Sequence, residues 1–182
     1  MAKKKPELRL PSKPLRLAAT HGWSDRPDRK VLVLDRGAVR LDYPADWVVD
    51  SAGDCVKLRD REPPDEECTL GASYHHWPAL PGLHPALRVA ALVETAMADD
   101  ERFTARDPVH DEPGFGLELA WGQGRFIDAD REALSRVCIA RRGEIQALVT
   151  LDFWASDLER CDALWHEILA SIQIAERVED RS

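Results

Sequence analysis

The sequence predicts an α+β fold: a mainly antiparallel β-sheet carrying one mid-chain helix and one long C-terminal helix. Three observations predict it. Short apolar runs are parted by hairpin-length links near 34–39, 50–55 and 140–144. Parallel neighbours need long crossovers, so such links join antiparallel strands. Two segments, 85–103 and 156–172, instead place apolar residues at helical spacing. No strand–glycine loop–helix unit occurs, which argues against a doubly wound nucleotide-binding sheet.

The elements follow in order. Val31 to Leu34 and Val39 to Tyr43 read as strands joined by a tight turn at Asp35-Arg36-Gly37. Val39, Leu41 and Tyr43 share one face of the second strand, and Pro44 ends it. Trp47 to Val49 and Cys55 to Arg59 form another hairpin around Ala52-Gly53-Asp54. The stretch DREPPDEE, 60–67, is an acidic proline loop. A strand from Cys68 to Trp77 precedes the first helix, for which Pro85 suits the opening turn. TARDPVHDEPG, 104–114, reads as an exposed loop, and the glycines of GFGLELAWGQG, 114–124, as hairpin glycines.

The last third is the most explicit. ALSRVCIA and EIQALVTLDF pair around Gly143, whose turn requires a positive φ. In the second of these strands Ile145, Ala147, Val149, Leu151 and Phe153 point one way. Gln146, Thr150 and Asp152 point the other, with Leu148 as the exception. SDLE offers Ser156 and Glu159 as a capping box. The following helix aligns Leu158, Cys161, Trp165, Ile168 and Ile172 in one stripe.

VRLDYPADW early in the chain, the mid-chain apolar helix, and RRGEIQALVTLDFW running into SDLERCDALWHEILASIQI together resemble the PsbP-like fold family. That family includes a photosystem accessory protein, Ran-binding Mog proteins, and bacterial lipoproteins and secretion chaperones. The resemblance spans roughly residues 38–175 and implies a PsbP-like α/β/α sandwich with an accessory or chaperone role. Its motifs are architectural, so it transfers no functional residue.

Composition narrows the function. A chain of 182 residues makes one domain able to bury about 70% of its unfolded surface, without metal or disulfide. Residues 1–16 form a basic flexible tail of net charge +5, and 17–178 a single globular domain. With −8 overall, the other 166 residues sum to −13, which repels phosphate backbones and argues against nucleic acid. No apolar run is long enough for a membrane span. Prolines and charges interrupt the first residues where a secretion signal needs an apolar stretch. Cys55, Cys68, Cys138 and Cys161 lack C-x-x-C spacing and read as free buried thiols in a cytoplasmic protein.

The chemical motifs are sparse. His75 and His76 are adjacent on a strand and project to opposite sides, so they cannot share one metal comfortably. His84 lies beyond Pro78 and Pro81-Gly82, with no further ligand pair nearby. No metal site and no cofactor is expected. Hydrolase chemistry pairing His75, His76 or His110 with Ser73 or Asp111 lacks any G-x-S-x-G elbow. Asp128 with Asp130, and Asp99-Asp100-Glu101, read as solvated carboxylates.

The first expectation is a non-enzymatic cytoplasmic accessory or adaptor domain that binds a protein partner, in one version a secretion-associated chaperone. Its anchors are His75, Trp77 and Trp121, joined in an aromatic patch toward which the acidic loops steer a basic partner. The alternative is a small hydrolase with a histidine–carboxylate site. A homodimer through an exposed sheet edge is a third arrangement.

Overall fold

The computed structural model describes residues 26–51, 55–76, 88–112 and 116–176. The basic tail, His84, Trp77 and Pro85 lie outside the described residues.

The first hairpin forms where the apolar alternation places it. Strands β1 (Arg29–Leu34) and β2 (Val39–Pro44) pair antiparallel around a one-turn helix at 35–37. Asp35, Arg36 and Gly37 all have positive φ there, so the reversal is completed in three residues. The chain then builds an eight-stranded antiparallel sheet. β3 (Val48–Asp50) pairs β4 (Val56–Arg59), and β4 pairs β5 (Cys68–His76). Helix α1 (Val89–Asp99) follows.

The predicted loop at 104–114 contains two short bridges, β6 (Ala105–Arg106) and β7 (His110–Asp111), which both pair with the long β8 (Glu118–Asp128). β8, β9 (Arg131–Arg142) and β10 (Ile145–Trp154) are successive hairpins, and β10 pairs β5 on its other side. Gly143 takes the expected positive φ of 56° in the second turn. Helix α2 (Leu158–Ser171) leads to β11 (Gln173–Ile174). β11 joins β2, giving a three-stranded sheet in the order β1-β2-β11 that the sequence did not suggest.

One face of the large sheet is the apolar one. Ile145, Ala147, Val149, Leu151 and Phe153 are buried there against α2 and the small sheet. Trp165 and Ile168 of α2 are almost wholly buried in the same cluster. Burial of that kind contributes about 1.5–3 kcal/mol for a large aliphatic side chain. The stripe is shifted from the expected one: Leu164 and Leu169 join it, whereas Leu158 is 40% exposed.

The capping box does not form. A short turn at 155–157 precedes α2, Asp157 is its N-cap, and no side chain caps it. Ser156 and Glu159 therefore sit one residue out of frame for a reciprocal cap.

The second face carries α1, which lies over β8 and β9. Val93, Met97 and Phe103 pack with Ala120, Phe126, Ala133 and Ile139 in a smaller cluster. Gly122 and Gly124 are not hairpin glycines; they stand inside β8 and leave the space that Met97 and Phe103 fill. Among the described residues no helix is long and apolar enough to cross a membrane.

Candidate functional site: the uncovered half of the central sheet

Among the described residues, α1 is the helix on the second face, and it covers only the half made by β8 and β9. On the other half, the register aligns Lys57 and Arg59 of β4 with Gly71 and Thr69 of β5, and these with Thr150 and Asp152 of β10. Alternation puts all of these on one face, together with Ser73, His75, Gln146 and Leu148. A cleft of about 310 Å³ opens here. Arg59, Thr69, Asp152 and Trp154 line it from the sheet, and Arg102, Phe126 and Asp128 from the covered side.

Its polar groups are mostly held in place. The Arg102 guanidinium donates to both oxygens of Asp100, at 3.1 Å and 2.8 Å, and lies 5.0 Å from the Phe126 ring centre. Those hydrogen bonds hold the Asp100 carboxyl below the ordinary range, with burial opposing them. Arg59 bonds Asp50 at 3.2 Å and faces Glu66 at 3.8 Å. Arg131 stacks on the Trp154 ring at 4.0 Å.

At the cleft floor the Ser135 hydroxyl donates to Asp152. Burial pushes the Asp152 carboxyl upward, against the Ser135 hydrogen bond and the charge of Arg102. The Ser135 hydroxyl and the Asp152 carboxyl hold each other in place across β9 and β10. The cleft can therefore recognise charged and hydrogen-bonding groups.

The predicted anchors separate. His75 is exposed near the end of β5, on the uncovered face beside Gln146. His76 is exposed on the opposite side, across from Ile145. Trp121 faces the core. It pairs with Cys138 on β9, which pairs with Val149 on β10, so its ring lies on the apolar face and is 6% exposed. His75 and Trp121 consequently lie on opposite faces of the sheet and cannot belong to one patch.

The Trp121 indole N–H donates to Glu112 at 3.1 Å. Its ring stacks on His110 at 4.2 Å and meets the Trp165 ring edgewise at 5.9 Å. Ser73 and His110-Asp111 are four strands apart, about 19 Å at roughly 4.8 Å per strand. Ser73 and His75 share a face, but their β10 neighbours Leu148 and Gln146 offer no carboxylate. Among the described residues no three His, Cys, Asp or Glu side chains are grouped to hold a metal ion.

Sequence reasoning also missed Arg136. It is 3% exposed on the apolar face, where Nε donates to Gln123 at 2.8 Å and Nη2 to Asp162 of α2 at 2.8 Å. A signal existed: in the inward series Leu134, Arg136, Cys138, Ala140, one member is charged.

Comparison with known proteins agrees with the architecture. Residues 30–178 match the model of a protein family described as Alr1449. The uncharacterized protein alr1449 of Nostoc sp. (strain PCC 7120) is 29% identical over 191 residues, covering 100% of this chain and 96% of its own. Among solved structures, the cyanobacterial PsbP (CyanoP) of Synechocystis sp. PCC 6803 superposes with a TM-score of 0.61. It is 12% identical, over 86% of this chain and 98% of that one. The Ran-binding protein Mog1p of Saccharomyces cerevisiae gives 0.53 at 11% identity, over 80% and 95%. Identities this low show a shared fold, and the PsbP-like α+β architecture is that fold.

Proposed function

Since the chain belongs to the Alr1449 family, whose fold is shared with PsbP and Mog1p, we propose that it is a non-enzymatic accessory domain that binds a protein partner through the uncovered half of its large sheet. The observation carrying this reading is a face that the described residues leave half-covered. α1 is spent on β8 and β9, and β4, β5 and β10 keep a polar cleft walled by pre-positioned arginines, acids and aromatic rings. Side chains already fixed by ion pairs lose little freedom on binding, which favours recognition. Mog1p is a Ran-binding protein, which supports a protein as the partner.

His75 lies on this face and belongs to the proposed contact surface, whereas Trp77 lies outside the described residues. Trp121, being core, does not belong to that surface. The described cysteines are free thiols, which fits the reducing cytoplasm as the working compartment.

The test is affinity capture from the native lysate with the wild-type chain and with the charge reversals Lys57→Glu and Asp128→Lys. The expected result is one stoichiometric protein retained by the wild type and lost by both variants, whose melting temperatures stay unchanged. Equal capture by all three, or none by the wild type at low and high salt, overturns the reading.

A further inference from the structure

Two of the four thiols meet. Cys68, the first residue of β5, and Cys161, on the first turns of α2, lie 93 positions apart in sequence with their Sγ atoms 3.8 Å from each other. Both are at most 1% exposed. Above them lies a charged latch. Asp60, at the base of the acidic loop, accepts the backbone N–H groups of Glu67 and Cys68 at 2.9 Å and 3.0 Å. Arg160, half in water, reaches the other Asp60 oxygen at 3.4 Å. The pair is half-buried, with Asp60 only 7% exposed, so peroxide reaches the sulfurs when the loop that carries Asp60 opens locally.

We infer that Cys68 and Cys161 are a reversible dithiol–disulfide pair, oxidised by hydrogen peroxide, whose bond staples α2 to β5. The Cys161 thiolate attacks one peroxide oxygen and hydroxide leaves, taking up a proton to become water. The Cys68 sulfur then displaces the sulfenic oxygen of Cys161, which departs as a second water while the S–S bond forms. Two electrons pass from the sulfurs to the peroxide. Two thiols, or one dithiol, restore the pair by exchange and leave as a disulfide. The charge of Arg160 favours the thiolate form of either sulfur. The contact with Cys68, and then the charge of Arg160, hold the Cys161 thiol below its usual range against the opposing effect of burial. That contact, together with burial, pushes the Cys68 thiol up.

The test uses the full chain. The folded protein is treated with hydrogen peroxide, free thiols are alkylated, and the digest is mapped by mass spectrometry. The expected product joins the Cys68 and Cys161 peptides, lighter by two hydrogens, and dithiothreitol reverses it. The melting temperature of the oxidised wild type rises by roughly 9–18 °C, as expected for closing so long a loop. Oxidised Cys161→Ala shows no such rise. Since the mapping needs no variant, a misfolded one leaves the result intact. Recovery of Cys68 and Cys161 as free thiols while half-buried Cys55 is oxidised, or linkage formed only in urea, overturns the inference.

Discussion

Arg136 on β9 and Asp162 on α2 are joined at 2.8 Å, yet the guanidinium is 3% exposed and the carboxylate side chain 49%. The two ends of the bond are therefore unequal. Removing Asp162 leaves a core charge with Gln123 and the rings of Trp121 and Phe153, whereas removing Arg136 leaves a carboxylate that water can solvate.

Asp162→Ala is expected to cost about 1.5–3 kcal/mol, the worth of a hydrogen bond to a charged group. In an Arg136→Met background the same replacement costs less than half as much. Urea denaturation of the four proteins of the cycle measures the difference.

Asp152 gives a pH signature. Burial raises its carboxyl above the unfolded value. Its contribution to stability is thus fully present below the unfolded pKa and lost as pH rises through the folded one. Asp152→Asn keeps an acceptor for Ser135 and cannot ionise. The variant is expected to match the wild type near pH 3 and to gain on it as pH rises through the carboxylate range, read from denaturation profiles at each pH.

Gly124 is held by its neighbour. A Cβ there would lie within 2.6 Å of three carbons of the Phe103 ring, which packs in the cluster under α1. Gly124→Ala is expected to destabilise by about 1–3 kcal/mol, as overpacking does. Adding Phe103→Leu should recover part of the loss in thermal denaturation.

Ala129 and Asp130 make the β8–β9 turn with φ of 46° and 62°. Aspartate tolerates this region, but alanine is strained there by about 1–2 kcal/mol. Ala129→Gly is expected to stabilise by roughly 0.5–1 kcal/mol, after the glycine's larger unfolded-state entropy is subtracted. The midpoint of urea unfolding reports it.

Where apolar residues alternate strictly, as in Val39-Leu41-Tyr43 or along β10, sequence and structure coincide, because a half-buried strand allows one reading. Gly143 was legible for a similar reason: a tight hairpin needs its backbone. Elsewhere the decisive partner is remote. Gly122 and Gly124 look like turn glycines until α1 is laid across them, and β6 and β7 acquire strand character only by pairing with β8. The cleft was hidden for the same reason. Asp152 was correctly placed on the polar face, but no local pattern says that α1 stops short of it. Trp121 misled because an aromatic ring suits an interface as well as a core, and the parity of its strand position decides between them.

The pairing of Val39 and Arg40 with Ile174 and Gln173 fixes an order of events during synthesis. The open rim of the first hairpin is made early, and the short segment that seals it emerges some 130 residues afterwards. At about 5–20 residues per second on the ribosome, that rim waits on the order of ten seconds for its own mate. During that interval the charges at Arg40 and Asp42 disfavour pairing with other nascent chains.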